Sequence, residues 1–297
     1  MMIKIKQLSV RLVTAVCILF APNVAVSQYV EGGIMLGGSN YLGDLSGTMM
    51  NFGLTKPSGG VLIRYNINDK FTAKAYLGYG RIAGADSLSS KEAHKLRNLS
   101  FYTDIFEASL QMEYNLIPYS FKYNAKRPWV PYVFFGVGLF NYNPKTFYNG
   151  EVYELQPLAT EGQETTQYND KERYNLTQFV VPFGFGVKKR IHDRWSIGAE
   201  LGFRYTFTNY LDDVGGTYAN LQVLERGKGP LSAILSDRSA EKNMVFDPEK
   251  NATVPVALFA ENAPRSNKKY DVNDIYVFVG INITYRLKRP ILCPNFN

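Results

Sequence analysis

The sequence predicts an all-β protein, an eight-stranded antiparallel transmembrane β-barrel with long extracellular loops. Three observations carry that expectation. Ile275–Leu287 alternates without a break, with Ile275, Val277, Val279, Ile281, Ile283, Tyr285 and Leu287 on one face and Tyr, Phe, Gly, Asn, Thr and Arg between them. A period of two separates the two faces of a strand. Ordinary strands run about five or six residues, whereas a tilted membrane crossing needs about 9–11. The same pattern recurs in Trp195–Thr208, and in Tyr102–Leu116, where Glu107 and Glu113 interrupt the apolar row only from its opposite face. Finally, the connections between such segments alternate between short and long, as outer-membrane barrels require. Two soluble sheets packed face to face remain the alternative fold, but they would bury those glutamates in an apolar core at high cost.

The strands are expected, in order, at 29–40, 59–67, 71–83, 102–116, 130–142, 177–190, 194–208 and 274–288. Glycines blur the first. In the fifth, Val133, Phe135, Val137 and Leu139 face lipid, with Gly136 and Gly138 inside. In the sixth, Phe179, Val181, Phe183, Phe185 and Val187 face out, with Gly184 and Gly186 inside. Small interior residues make room for bulky neighbours in a narrow barrel. Asn68-Asp69-Lys70 and Ile191-His192-Asp193 read as tight turns and Tyr119–Pro128 as a modest one; 41–58, 84–101, 143–176 and 209–273 are long. Short turns and both termini then belong to the periplasm, and Trp129 and Trp195 begin upward strands in the aromatic belt. Eight strands leave a lumen that side chains fill. Arg64, Lys74, Glu107, Glu113, Glu200 and Arg204 face into it. They are expected to pair as a plug, with the partners of Glu200 and Arg204 on neighbouring strands; a proton or ion path is the alternative.

The N-terminus has the form of a secretory signal peptide. Lys4, Lys6 and Arg11 precede the apolar run Leu12–Ala21, and Ala25 and Ser27 suit cleavage after Ser27. The domain division is therefore 1–27 signal peptide and 28–297 barrel, located in the outer membrane. Cys17 sits inside the apolar run and reads as part of the discarded peptide. Aromatic content of 14% with mean hydropathy of only −0.19 fits strands that turn one face inward. Loss of three positive charges takes the net charge from +7 to +4.

Catalytic chemistry is not evident. His94 falls in a long loop and His192 in a tight turn, and neither has a Ser and Asp arrangement in a lipid-accessible strand. No cysteine–histidine metal spacing exists, and Asp212-Asp213 reads more simply as a solvated acidic pair than as part of a calcium site. No enzyme, cofactor or nucleic-acid partner is expected. The periplasmic rim is basic: Lys70, Lys122, Lys126, Arg127, Lys188, Lys189, Arg190, Arg194, Arg286, Lys288 and Arg289 stand against Asp69 and Asp193. It fits either inner-leaflet lipid phosphates or an acidic partner, the docking surface proper being Lys126, Arg127, Lys188, Lys189, Arg190, Lys288 and Arg289. Cys293 is the lone cysteine of the mature chain, in an extended Pro-flanked tail with Lys288 and Arg289 nearby. In an oxidising compartment it suggests a disulfide tether to a periplasmic partner, or a free thiol.

Several segments carry a family resemblance: Gly37–Leu45, Arg97–Phe101, Pro131–Gly136, Gly162 within Thr160–Gln163, Arg204–Asp213 and Ala233–Ser239. Together they resemble the PorG family, outer-membrane barrel components of the type IX secretion machinery of the Bacteroidota. The resemblance implies a non-enzymatic role, anchoring to the membrane a periplasmic ring built from a lipoprotein and a second periplasmic protein. It makes the ring lipoprotein the first candidate partner for Cys293. The alternative is a stand-alone surface barrel whose long loops bind a ligand or host surface.

Overall fold

The computed structural model describes residues 29–46, 52–120, 127–247, 250, 252–266 and 273–287. The expected signal peptide with Cys17, the basic residues Lys122, Lys126, Lys288 and Arg289, and Cys293 lie outside the described residues.

Eight long strands close on themselves: β1 (Tyr29–Leu42), β2 (Lys56–Asn66), β3 (Phe71–Ala85), β4 (Ser100–Asn115), β5 (Val130–Asn141), β8 (Thr177–Arg190), β9 (Trp195–Thr206) and β12 (Ile275–Arg286). Every adjacent pair is antiparallel, and β12 returns to β1 in register from Glu31↔Arg286 to Leu42↔Ile275. Closure satisfies the backbone polar groups of both would-be edges, which is what allows strands to stand in hydrocarbon. It also rules out the packed-sheet alternative. The lipid-facing rows are as the alternation predicts: Leu36, Leu110 and Phe179 are 64%, 67% and 68% exposed. An unbroken apolar belt of this kind on a soluble surface would be an aggregation site; here it is the bilayer face. Val277 is buried, so the lipid-facing row of β12 stops at Val279. Past that point the strand runs on to the level of the loops.

Inside, aromatic rings sit against glycines. A Cβ at Gly60 or Gly78 would come within 2.7 or 2.4 Å of the Tyr76 ring, and one at Gly186 within 2.5 Å of Tyr132. Phe134 lies over Gly202 at 2.8 Å in the same sense. The interior glycines are therefore seats for rings, and the rings fill the lumen.

The long connections are not loose. Strand β6 (Pro144–Tyr148) extends the sheet by pairing with the top of β4, and β7 (Glu151–Glu154) pairs with β6. Helices α1 (Glu92–Arg97), α2 (Leu221–Lys228) and α3 (Pro230–Ser236) and the hairpin β10 (Met244–Asp247) and β11 (Ala252–Pro255) complete them. Asn98 ends α1 in the left-handed conformation, and the Asn220 side chain caps α2 by accepting from the Gln222 and Val223 amides. One buried cluster runs from Met35, Leu62 and Tyr76 in the lumen to Leu45, Leu99, Leu155, Leu211, Val214 and Leu235 in the connections. The four long connections thus form a cap whose core is continuous with that of the barrel.

Candidate functional site

The buried polar core has two parts, a charge network in the lumen and an ionic lock in the cap. All six charges expected inside the lumen are there and buried. Glu113 accepts from Arg64 Nε at 2.9 Å and from Lys188 Nζ at 2.8 Å, with Lys74 Nζ at 3.5 Å. Glu200 accepts from Lys74 Nζ at 2.7 Å and from the Tyr132 hydroxyl at 2.8 Å. Glu107 accepts from Arg204 Nε and the Tyr276 hydroxyl, both at 3.1 Å, and from Ser109 Oγ at 2.7 Å.

Two expectations are corrected here. Partners of Glu200 and Arg204 do not come from neighbouring strands. Both residues lie on β9, which hydrogen-bonds to β8 and β12, whereas Lys74 is on β3 and Glu107 on β4. The ion pairs cross the lumen because its radius is close to the length of one long side chain. Lys188 is not a rim residue but a buried member of the network. It shares the phase of Gly184 and Gly186, so the alternation that put those glycines inside placed Lys188 inside too. Glu31, hidden in the glycine-blurred first strand, also belongs: it accepts from Asn66 Nδ2 at 2.9 Å and Thr284 Oγ1 at 2.6 Å. Among the described residues, the carboxylates Glu31, Glu107, Glu113 and Glu200 thus share the lumen with Arg64, Lys74, Lys188 and Arg204, and with Arg190 at the short-turn end. At the short-turn end Tyr119 closes the lumen, donating to Ser196 Oγ at 2.6 Å beneath the Lys188 ammonium. This is a plug.

In the cap, two buried arginines join all four long connections. Arg97 holds Asp86 with two bonds of 2.7 Å and donates to the Arg265 carbonyl at 2.5 Å and the Asp44 carbonyl at 3.4 Å. Arg265 donates to Thr160 Oγ1 at 2.9 Å, to Glu161 Oε1 at 3.3 Å and to the Asp213 carbonyl at 2.5 Å. Glu161 Oε1 also accepts from the Gly215 and Gly216 amides at 3.1 Å each, and its Oε2 from the Tyr210 hydroxyl. The Asp213 carboxylate accepts from the Thr160 hydroxyl and from the Tyr174 hydroxyl at 2.7 Å.

Asp212-Asp213 is therefore no solvated pair: both residues are buried. Among the described residues no group of three or more His, Cys, Asp or Glu is placed to hold a metal ion. Burial raises the Asp213 carboxyl to about 6, against the opposing pull of Arg265 and the two hydroxyls. A carboxyl raised on folding favours the protonated folded state. Its stabilising contribution is complete below the ordinary aspartate range and is lost as pH rises through about 6. The cap is expected to resist proteolysis better at pH 4.5 than at pH 7.5, and Asp213→Asn should flatten that difference. An unchanged pH profile in the asparagine variant removes Asp213 as its source.

The remaining rim residues separate by position. Arg190 points inward, donating to the Ser120 carbonyl at 2.8 Å; Arg127 pairs with Asp193; Lys189 lies 5.4 Å from the Trp129 ring centroid. His94 is buried against Ser89 in the cap and His192 is exposed in the turn at the other end, so the structure does not bring them together.

In fold, the chain is similar to Ail, the attachment invasion locus protein of Yersinia pestis, with 10% identity over 87% of this chain and 99% of that one and a TM-score of 0.36. It is similar in the same way to the outer membrane protein OprG from Pseudomonas aeruginosa (10% identity, 89% and 97% covered, TM-score 0.37) and to neisserial surface protein A (9%, 89% and 100%, 0.35). Likenesses this distant say nothing of function. No curated protein matches the chain in sequence. Residues 10–229, well over half of the chain, match the family described as "Domain of unknown function (DUF6089)", and the chain belongs to that family.

Proposed function

We propose that the protein is a non-enzymatic outer-membrane component of the type IX protein secretion machinery that anchors a periplasmic ring complex to the membrane. One observation carries this reading beyond the resemblance itself. The segments that resemble the PorG family include residues that build the lock: Asp44, Arg97, Thr160, Glu161 and Asp213 are all among them. A barrel with a sealed lumen and a locked cap holds its shape and passes nothing, which suits an anchor better than a pore.

The long connections then face the outside and the short turns the periplasm. A cysteine at Asp170→Cys should label in intact cells and one at Asp193→Cys should not; both positions are exposed. The reverse pattern inverts the barrel. The ring lipoprotein and the second ring protein are the partners, docking at Arg127, with Lys126, Lys288, Arg289 and Cys293 the further residues expected from the sequence to take part. A non-reducing gel of whole cells should show a higher band that collapses with reductant and is missing in Cys293→Ser. Persistence in that variant refutes the tether. The secretion role is tested by a deletion strain, which should retain its cargo in the periplasm with an otherwise intact envelope; normal secretion refutes it.

The surface-barrel reading has one observation in its favour. Met244, Val245 and Phe246 stand exposed in succession on the β10–β11 hairpin, an unusual display on a soluble surface. It predicts that Val245→Asp with Phe246→Ser abolishes surface binding and leaves secretion untouched.

A further inference from the structure

The belt at the short-turn end holds three cations that no carboxylate neutralises among the described residues. Lys70, in the turn between β2 and β3, lies 5.9 Å from the Tyr114 ring centroid and donates to the Leu116 carbonyl at 3.0 Å. Lys189 lies over Trp129. Arg194 donates to the Tyr285 hydroxyl at 2.8 Å, and the Tyr285 ring meets Trp195 edge-on at 5.0 Å. Arg127, by contrast, is paired with Asp193.

The three share a construction. Each lies at the foot of a strand, beside an outward aromatic ring at the lower edge of the apolar belt. From Phe71 at that edge to Tyr79 is eight residues along β3, roughly 20 Å of height for a strand tilted about 40°. That is close to the apolar band of about 25 Å of a membrane barrel, so the cations fall at headgroup level. Aromatic rings anchor at this interface and long basic side chains reach from it toward anions. The cations are also spread over half of the barrel's circumference. Lys70 stands near the β3–β4 seam, Lys189 near β5–β8 and Arg194 near β9–β12, and these seams are separated in the closed order of strands. Separate sites, each built on its own aromatic ring, call for separate small ligands such as lipid headgroups rather than for one docked face.

We propose that Lys70, Lys189 and Arg194 are phosphate contacts for anionic glycerophospholipids in the leaflet at the short-turn end. The proposal does not depend on the secretion reading. Where Lys188 and Arg190 turn into the lumen, Lys189 turns outward, so one basic stretch of sequence serves two faces.

The test uses the folded full-length barrel in detergent, titrated with phosphatidylglycerol, with a diacylglycerol of the same chains, and with inorganic phosphate. Bound lipid is counted by native mass spectrometry. Phosphatidylglycerol should be retained in preference to the headgroup-free lipid, and inorganic phosphate alone should not be retained. The variant Lys70→Gln, Lys189→Gln, Arg194→Gln should weaken retention about tenfold or more, as removal of basic residues from an anionic membrane surface does. Its heat-modifiable band in detergent should match that of the unaltered chain, and Arg127→Gln should retain lipid normally. Should the triple variant fail to fold, the headgroup comparison on the unaltered chain still decides. Equal retention of both lipids, binding of inorganic phosphate alone, or undiminished phosphatidylglycerol retention by the folded triple variant overturns the assignment.

Discussion

Glu113→Gln is expected to cost the folded barrel about 3–5 kcal/mol, the range for removing one member of a buried ion network. Arg64, Lys188 and Lys74 converge on this one carboxylate from β2, β8 and β3. A glutamine keeps the shape and can still accept hydrogen bonds, but it removes the negative charge that Arg64, Lys74 and Lys188 share in a buried region. The temperature at which the heat-modifiable band disappears should fall sharply. Removing one of the cations that lost this partner should restore part of it, so Glu113→Gln with Lys188→Met should be more stable than Glu113→Gln alone. If the single variant melts like the unaltered chain, the lumen is wet enough to screen its charges and the plug is not what holds it shut.

Arg265→Ala should act on the cap with a similar magnitude, about 3–5 kcal/mol, because Glu161 and Asp213 then stay buried without their cation. The damage should be local. In the purified protein, protease should nick the connections between β9 and β12 while the barrel keeps its heat-modifiable band. Arg265→Lys should recover little, since one ammonium cannot reproduce the fork that reaches Thr160, Glu161 and the Asp213 carbonyl. Equal protease resistance in the alanine variant refutes the lock.

The strands were legible because a period of two leaves little choice: the apolar rows of β4, β9 and β12 could face only one way. The inward charges followed from the same phase. Lys188 was misplaced because its nearness in sequence to a turn outweighed its parity, although Gly184 and Gly186 already marked that parity as interior. The pairing of Lys74 with Glu200 was not legible, because it depends on the width of a closed barrel and joins residues 126 apart. The cap was the least legible part. Its helices are six to eight residues long, too short for a helical period to register. Its lock joins residues such as Glu161 and Arg265, 104 apart, through contacts that no local pattern announces.

The place of Arg265 in the chain bears on the order of assembly. It stands just ahead of β12, the strand that meets β1 and closes the barrel. Its carbonyl completes the shell around Arg97, and its guanidinium completes the one around Glu161. The first three connections lack both of these groups until the fourth is in position, so the lock cannot close on them alone. A closed cap is thus a signature that the chain has been laid down as far as its last connection, and a chain that ends before Arg265 should present connections that protease cleaves.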